Sequence, residues 1–355
     1  MTDLRIGAIG CGYWGPNLIR NFVEIPGADV VVVSDLQTEP IHRIRQRFPQ
    51  IAHGVRDYRE LFDMNLDGVV IATPPATHHA IARDCLEHGL HVLVEKPITL
   101  NSDDAIDLIR VAEAHERILM VGHTFEYNPA VRALKQMIRS GELGDIYYID
   151  AIRASLGLFQ TKANVVWDLA PHDISILRYL LGCDPLSVST HASSCVQEGI
   201  EDVAYTTLTF PNNVLAHIRS SWLDPSKQRR ITVVGSKKMV IYDDVEPLEK
   251  VKIYDKGVKA IRHTDTFGEF SFAYHYGDVV IPYIRFEEPL RVQCQHFLDC
   301  IHEGKRPRTD GYNGLRVVQV VEAAQQSLRL GGQPVAVSTN GHPATEAAEE
   351  ELVHA

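Results

Sequence analysis

A glycine-rich turn near the N-terminus is the feature that most constrains the fold. An apolar segment typical of a buried strand, Leu4 to Ile9, runs directly into Gly10-Cys11-Gly12-Tyr13-Trp14-Gly15. In this G-x-G-x-x-G pattern the first glycine permits a tight turn, the second lets a pyrophosphate approach the backbone, and the third lets helix and strand pack closely. The next helix would direct its N–H groups and positive dipole end at the phosphates. The turn predicts a dinucleotide site; the alternative is a doubly wound domain that binds no nucleotide.

The end of the second predicted strand indicates which dinucleotide binds. Val30 to Val33 is apolar, and Asp35 follows it, twenty residues after Gly15. An acid at this place accepts hydrogen bonds from the 2′-hydroxyl of the adenine ribose. The three residues after Asp35 are uncharged, so no Arg or Lys stands ready for the 2′-phosphate of NADP. The sequence therefore favours NAD over NADP.

The order of apolar segments predicts two domains. Strands that alternate with helices and are apolar throughout, as up to about residue 124, indicate a parallel sheet covered on both faces. From about residue 125, strand-like segments separated by turn residues predominate. We therefore expect an α/β Rossmann domain (doubly wound parallel sheet) over residues 1–124, which binds NAD. An α+β C-terminal domain with a large, mostly antiparallel sheet, for substrate binding and oligomerisation, would cover residues 125–337, and a disordered tail residues 338–355.

The charge and the cysteines restrict the partners and the location. The net charge of −11 argues against a nucleic-acid-binding face and leaves no polybasic patch for a membrane surface. No apolar run approaches the ~20 residues of a membrane span, and the N-terminus lacks the features of a secretory signal. The six cysteines have no C-x-x-C spacing, which is typical of reduced thiols. We therefore expect a cytoplasmic protein with no nucleic-acid and no membrane partner.

Two further segments are expected at the edge of the parallel sheet where ligands bind, outside the carboxyl ends of its strands. They are Thr73-Pro74-Pro75, which His78 follows, and Glu95-Lys96-Pro97. Together with the glycine turn they would border the cofactor. The predicted cofactor-binding residues are Gly10, Gly12, Tyr13, Trp14, Gly15, Asp35, Thr73, Pro74, His78, Glu95, Lys96 and Pro97.

Lys96 is the most informative of these residues. A lysine at the carboxyl end of a strand, next to an expected nicotinamide, can donate a hydrogen bond to a hydroxyl or carbonyl oxygen of a substrate. The alternative is a loop lysine that pairs with Glu95. Residue spacing alone leaves both interpretations open.

A predicted helix from about Asp168 to Leu181 carries a second candidate group. Asp168 and His172 are four residues apart, so they share one helix face and can form a hydrogen bond. A carboxylate that fixes the tautomer of a histidine makes its imidazole a competent general base for an alcohol proton. The alternatives are an ordinary helix-face pair and a zinc site. No third ligand stands at a recognisable spacing, so we expect no metal.

Together, the glycine turn, Glu95-Lys96-Pro97 and the Asp168-x-x-x-His172 helix resemble the glucose–fructose oxidoreductase / inositol dehydrogenase family (Gfo/Idh/MocA). The resemblance covers about residues 3 to 335. It implies an NAD-dependent sugar dehydrogenase that acts on a CH–OH group, with Lys96, Asp168 and His172 as catalytic residues. It also favours the functional interpretation of these three residues over the alternatives.

Four segments are similar to the branch of this family that oxidises nucleotide sugars at C3, such as UDP-N-acetylglucosamine or its uronate. They are Gly12–Asn17, Gly122–Pro129, Val280–Ile284 and Glu288–Phe297. The family often has glycines just before its Asp-x-x-x-His helix, where this chain has Val165-Val166-Trp167. Trp167 would therefore narrow or reshape the sugar pocket.

The resemblance leaves other activities open. A 3-ketoreductase of a nucleotide deoxysugar that uses NAD(P)H is one, and an inositol or free-sugar dehydrogenase is another. A non-catalytic NAD-sensing or scaffold protein belongs to a different class, and the presence of Lys96, Asp168 and His172 argues against it. An apolar outer face on the large sheet would make the chain a homodimer or homotetramer.

Overall fold

The computed structural model of the chain describes residues 3–157, 159–161, 163–261 and 271–338. The tail that the sequence predicts to be disordered lies outside these residues from residue 339 onwards. The described residues form two compact units. The first contains residues 3–127 and 287–319, and the second contains the described parts of residues 128–286 and 320–338.

A parallel sheet of six strands forms the centre of the first unit. Its strands are β1 (Leu4–Ile9), β2 (Ala28–Ser34), β3 (His53–Val55), β4 (Gly68–Ile71), β5 (His91–Val94) and β6 (Leu119–Val121). Their order is β3-β2-β1-β4-β5-β6, and every neighbouring pair is parallel. The strand order reverses beside β1, so the ends of β1 and β4 border the switch point where such sheets bind ligands. The predicted doubly wound Rossmann fold is confirmed.

Four helices accompany these strands, and their ends follow from the local sequence. They are α1 (Gly15–Glu24), α2 (Thr38–Arg47), α3 (His78–Glu87) and α4 (Ser102–Ala114). The third glycine of the turn begins α1, and Pro16 occupies the first turn, where its missing N–H removes no helical hydrogen bond. Asn101 caps α4, because its side chain accepts a hydrogen bond from the Asp104 backbone N–H at 2.8 Å.

The second unit is built on a sheet of nine strands. They are β7 (Ile146–Leu156), β8 (Ser187–Ser193), β9 (Val203–Thr209), β10 (Leu215–Ser221), β11 (Leu223–Gly235), β12 (Met239–Asp243), β13 (Val251–Ile261), β14 (Ser271–Val280) and β15 (Val335–Ala336). Their order is β14-β13-β12-β11-β7-β10-β9-β8-β15. The β7–β10 pair is parallel and the others are antiparallel. The predicted mostly antiparallel sheet is confirmed.

The second unit also contains α5 (Pro129–Arg139), which precedes β7 in the chain, and α6 (Val165–Leu181), which follows β7 and precedes β8. α6 packs on β7, β9 and β10 and buries its first residues, Val165 and Val166. It therefore begins earlier than predicted, because Asn164 caps it by accepting a hydrogen bond from the Trp167 N–H at 3.2 Å. The helix ends at Gly182, whose φ of +70° suits glycine.

The last two helices are α7 (Pro289–Glu303) and α8 (Gly311–Arg329). α7 packs against α1, where the rings of Phe22 and Phe297 meet edge to face with centroids 6.3 Å apart. An ion pair between Arg20 and Glu288 joins the same two helices. Among the residues that the structure describes, no helix is both long and apolar enough to cross a membrane.

Candidate functional site

The three glycines of the N-terminal turn have different surroundings. Gly10 has a φ of +98°, and a Cβ built on it would lie 2.6 Å from the carbonyl oxygen of Ala72. A Cβ on Gly15 would lie 1.9 Å from the carbonyl oxygen of Gly10. A Cβ on Gly12 would have nothing within 4 Å. The fold itself therefore requires glycine at the first and third positions, and open space lies beside the second, where a pyrophosphate would approach.

Asp35 is tied to this turn. Its Oδ2 accepts a hydrogen bond from the Cys11 backbone N–H at 2.8 Å, and its Oδ1 accepts one from the Gln37 N–H at 2.9 Å. The carboxylate is half-buried. Each carboxylate oxygen can accept a further hydrogen bond. The side chain is therefore held in place and retains acceptor capacity for a ribose hydroxyl.

A hydrogen bond joins the turn to the end of β5. The Trp14 indole N–H donates to Oε1 of Glu95 at 2.7 Å, and Oε2 of Glu95 accepts a hydrogen bond from the Lys96 backbone N–H at 3.2 Å. Burial raises the pKa of the Glu95 carboxyl to about 7, although the indole and the Lys96 charge act in the opposite direction. Glu95 and Lys96 are both half-buried. The structure thus brings Trp14, Glu95 and Lys96 together at one edge of the sheet.

His78 connects the two other strand ends. The ring is fully buried, with Nδ1 2.8 Å from the Pro97 carbonyl oxygen and Nε2 2.9 Å from the Thr73 carbonyl oxygen. Burial lowers the pKa of the imidazole. A neutral imidazole has one N–H and can donate to only one of these carbonyls. In this geometry His78 holds the segments after β4 and β5 in place.

The remaining predicted cofactor residues lie around these groups. The side chain of Tyr13 is 88% exposed, so it reaches into solvent beside the turn. Pro74 precedes a short 3₁₀ segment, Pro75–Thr77, and Thr73 accepts a hydrogen bond from the Thr77 hydroxyl at 2.8 Å. Among the described residues, no group of three His, Cys, Asp or Glu side chains is arranged to hold a metal ion.

The second candidate group lies in the second unit. Asp168 and His172 stand one turn apart on α6, and both are half-buried. Oδ2 of Asp168 accepts a hydrogen bond from the Trp222 indole N–H at 2.9 Å. Trp222 was not anticipated from the sequence, because it lies 54 residues from Asp168 and no local motif marks it. Asn164, by contrast, is a common N-cap residue and could have indicated the true start of α6.

An ion pair holds the same helix on the sheet. Asp173 follows His172 on α6, and its carboxylate accepts hydrogen bonds from Nε and Nη2 of Arg153 at 2.7 and 2.9 Å. Arg153 lies on β7, and the two side chains are 7% and 1% exposed. Such a two-point contact fixes both the distance and the orientation of the partners. The helix that carries Asp168 and His172 is therefore anchored to β7.

Individual relatives of this chain have named activities. The scyllo-inositol 2-dehydrogenase (NAD(+)) of Bacillus subtilis is 26% identical over 345 residues, which cover 94% of this chain and 96% of the relative. The UDP-N-acetylglucosamine 3-dehydrogenase of Acidithiobacillus ferrooxidans is 26% identical over 267 residues, which cover 74% of this chain and 80% of the relative. An oxidoreductase from Agrobacterium radiobacter, solved with NAD+, L-tartaric acid and magnesium, has the same fold. Its TM-score is 0.79 at 21% identity, with 95% of this chain and 99% of that chain covered.

Two family models match the chain in the order of its two units. One is described as the oxidoreductase family with an NAD-binding Rossmann fold, and it matches residues 4–123. The other is described as the GFO/IDH/MocA C-terminal domain, and it matches residues 131–241. The chain therefore belongs to the Gfo/Idh/MocA family of NAD-binding oxidoreductases.

Proposed function

We propose that this enzyme oxidises a ring hydroxyl of a sugar to a ketone, at C3 of a nucleotide sugar such as UDP-N-acetylglucosamine or its uronate. The observation that carries the proposal is the pair Asp168 and His172, one turn apart on α6, with the carboxylate held by a buried indole. The segments similar to the C3 branch support the choice of sugar. So does the similarity to the UDP-N-acetylglucosamine 3-dehydrogenase of Acidithiobacillus ferrooxidans.

The residues of the first unit fit NAD. The open space beside Gly12 would admit the pyrophosphate, and Asp35 would accept a hydrogen bond from the adenine ribose. The negative charge of Asp35 would repel the 2′-phosphate of NADP. Residues Thr73 and Glu95 to Pro97 would border the nicotinamide. When bound, NAD supplies the hydride acceptor, and the protein supplies binding and orientation.

The proposed chemistry divides between three side chains. His172 takes the proton of the reacting hydroxyl, while the hydrogen on the carbon that bears this hydroxyl leaves as a hydride. Asp168 orients the imidazole and stabilises its protonated form. Lys96 donates a hydrogen bond to the reacting oxygen and stabilises the negative charge that develops there. An alternative assignment exchanges the roles of Lys96 and His172.

A substrate screen tests the proposal. UDP- and dTDP-sugars are incubated with NAD, and formation of the reduced cofactor is followed by absorbance. We expect turnover with UDP-N-acetylglucosamine or its uronate, and a ketone at C3 in the NMR spectrum of the product. A ketone at another carbon, or turnover of no nucleotide sugar, would contradict the choice of substrate.

Inositol is the second candidate substrate. The scyllo-inositol 2-dehydrogenase of Bacillus subtilis aligns with 94% of this chain, against 74% for the UDP-N-acetylglucosamine 3-dehydrogenase. The screen therefore includes scyllo- and myo-inositol and free sugars with NAD. Turnover of inositols together with inert nucleotide sugars would favour this second function.

The outer face of the large sheet supports assembly into a homodimer or homotetramer. Tyr148, Tyr205 and Leu215 lie on neighbouring strands of this face and are 48%, 46% and 47% exposed. Their sheet neighbours Ile149 and Ala216 point to the opposite face and are buried. Tyr148 and Leu215 are register partners, and Tyr205 lies farther along the same face, opposite Arg219. Large exposed side chains on one sheet face are typical of interfaces between subunits. We expect light scattering to give at least twice the mass of the chain, and a strict monomer would contradict this.

A further inference from the structure

Trp222 connects the strands of the second unit to the candidate acid–base pair. It lies between β10 and β11, and its side chain is 1% exposed. Its indole N–H donates to Oδ2 of Asp168 at 2.9 Å. An indole is a hydrogen-bond donor only, so this contact assigns Oδ2 the role of acceptor.

Backbone hydrogen bonds and a ring contact hold Trp222 in place. The Trp222 backbone N–H donates to the Asp202 carbonyl oxygen at 3.0 Å, and the Trp222 carbonyl oxygen accepts from the Gly157 N–H at 3.1 Å. The Phe159 ring lies 5.7 Å from the indole, between centroids. A Cβ built on Gly157 would lie 3.2 Å from Cδ1 of Trp222, so the indole leaves little room for a side chain at residue 157.

The backbone of Asp168 is fixed independently. The first turn of α6 is joined to residue Glu201, whose carbonyl oxygen accepts the Val165 N–H at 2.9 Å and whose carboxylate accepts from Asn164 at 2.8 Å. The Arg153–Asp173 ion pair anchors the next turn. With the helix fixed in this way, the indole hydrogen bond restricts the side-chain torsions of Asp168.

We propose that Trp222 is a positioning residue for the oxidation: its N–H holds Oδ2 of Asp168 and leaves Oδ1 as the acceptor that is available to His172 during the reaction. The proposal rests on the proposed acid–base role of Asp168 and His172. A carboxylate that only paired with the imidazole could rotate between productive and unproductive orientations. The fixed donor at Oδ2 restricts this rotation. In this way a residue that does not touch the substrate can support the catalytic geometry.

A double-mutant cycle separates this role from simple packing. The variants are Trp222→Phe, which keeps an aromatic ring but removes the N–H, Asp168→Asn and the double variant. kcat, KM and the Kd of NAD are measured on the substrate found in the screen, and Tm is recorded for each protein. Thr190→Val is the matched control, because Thr190 is buried in the same sheet and its hydroxyl donates to the Thr206 hydroxyl at 3.2 Å.

Trp222→Phe is expected to lower kcat by about 10- to 100-fold, as is typical for groups that orient a functional side chain. In the Asp168→Asn background, Trp222→Phe is expected to lower kcat less than about threefold, because the effects of substitutions at interacting residues are not additive. The Kd of NAD stays within about twofold in all variants, because the NAD-binding family match lies in the first unit. Thr190→Val is expected to lower Tm, with nearly unchanged kcat in both backgrounds.

Gly157→Ala provides a second variant if Trp222→Phe does not fold. Its Cβ would press on the indole and displace it by a few tenths of an ångström without removing the N–H. A drop in kcat that disappears in the Asp168→Asn background supports the proposal. Equal losses in both backgrounds would overturn it and leave the proposed function intact. A wild-type protein that turns over no sugar, nucleotide sugar or inositol would overturn both.

Discussion

The indole N–H of Trp14 donates a hydrogen bond to Oε1 of Glu95 across 81 residues of sequence. One partner belongs to the glycine turn that would hold the pyrophosphate, and the other directly precedes Lys96. The contact therefore links the proposed phosphate site to the proposed nicotinamide site within one unit. Burial raises the pKa of the Glu95 carboxyl to about 7, so the charge of this group changes near neutral pH.

We expect the affinity for NAD+ to depend on pH through Glu95. As pH rises through about 7, the carboxyl ionises, and its negative charge favours the positively charged nicotinamide of NAD+ over the neutral ring of NADH. The Kd of NAD+ should therefore fall between pH 6 and pH 8, by roughly threefold to tenfold. Calorimetric titration at several pH values measures this effect. Glu95→Gln should abolish the dependence, and Trp14→Phe should move it to higher pH, because the indole hydrogen bond lowers the Glu95 pKa.

The same carboxyl makes stability depend on pH. The pKa is raised from 4.5 to about 7 in the folded protein, so folding favours the protonated form. The contribution of Glu95 to the free energy of unfolding is fully present below pH 4.5 and is lost as pH rises through about 7. Urea unfolding of wild type and Glu95→Gln at pH 5 and pH 8 measures it. A wild-type protein that loses no more stability than the variant over this range would contradict the raised pKa.

Asp35→Ser should change the cofactor preference. The variant loses the carboxylate that would bind the ribose hydroxyl. We expect NAD to lose about 1.5–3 kcal/mol of binding free energy, which raises its Kd by roughly 10- to 100-fold. It should also admit NADP, because Nε of Arg56 donates to the Leu36 carbonyl oxygen at 3.1 Å and stands beside the loop. Cofactor Kd values test this, with Asp29→Ser, an exposed position on β2, as the control. Unchanged NAD affinity would refute the ribose role.

His172→Ala and Lys96→Ala should each lower kcat by about 10²- to 10⁴-fold, the range of general acid–base contributions. The Kd of NAD should change far less than kcat, since neither change touches the glycine turn or Asp35, which are proposed to bind the pyrophosphate and the adenine ribose. His42→Ala and Lys227→Ala are matched controls, because both side chains are exposed. Steady-state kinetics with the substrate found in the screen give kcat for each variant and control. If both variants kept near wild-type turnover, the assignment of these two residues would be wrong.

Arg153→Met should destabilise the second unit by about 3–5 kcal/mol, because it leaves the buried Asp173 carboxylate without its partner. The double variant Arg153→Met/Asp173→Leu should recover most of that loss, since it removes both charges. Urea unfolding measures the free energies. If the double variant were as unstable as the single one, the loss would not come from the unpaired Asp173 charge, and the prediction would be wrong.

Local patterns in the sequence predict much of the fold and part of the site. The glycine turn, the acid after β2 and the helix with Asp168 and His172 are all recognisable over short stretches. β3 was not anticipated, because His53–Val55 is only three residues long and contains a glycine, so it has little strand signal of its own. Contacts such as Trp14–Glu95 and Trp222–Asp168 depend on how distant segments pack, and no local pattern encodes them.

The open space beside Gly12 has a practical consequence. A side chain at Gly10 or Gly15 would collide with backbone atoms, whereas a Cβ at Gly12 would have no atom within 4 Å. Gly12→Ala should therefore yield an enzyme with native melting behaviour and an obstructed phosphate position. Such a protein would be an inactive reference for every assay described above: it keeps the complete fold and all proposed catalytic side chains, and it lacks only room for the cofactor.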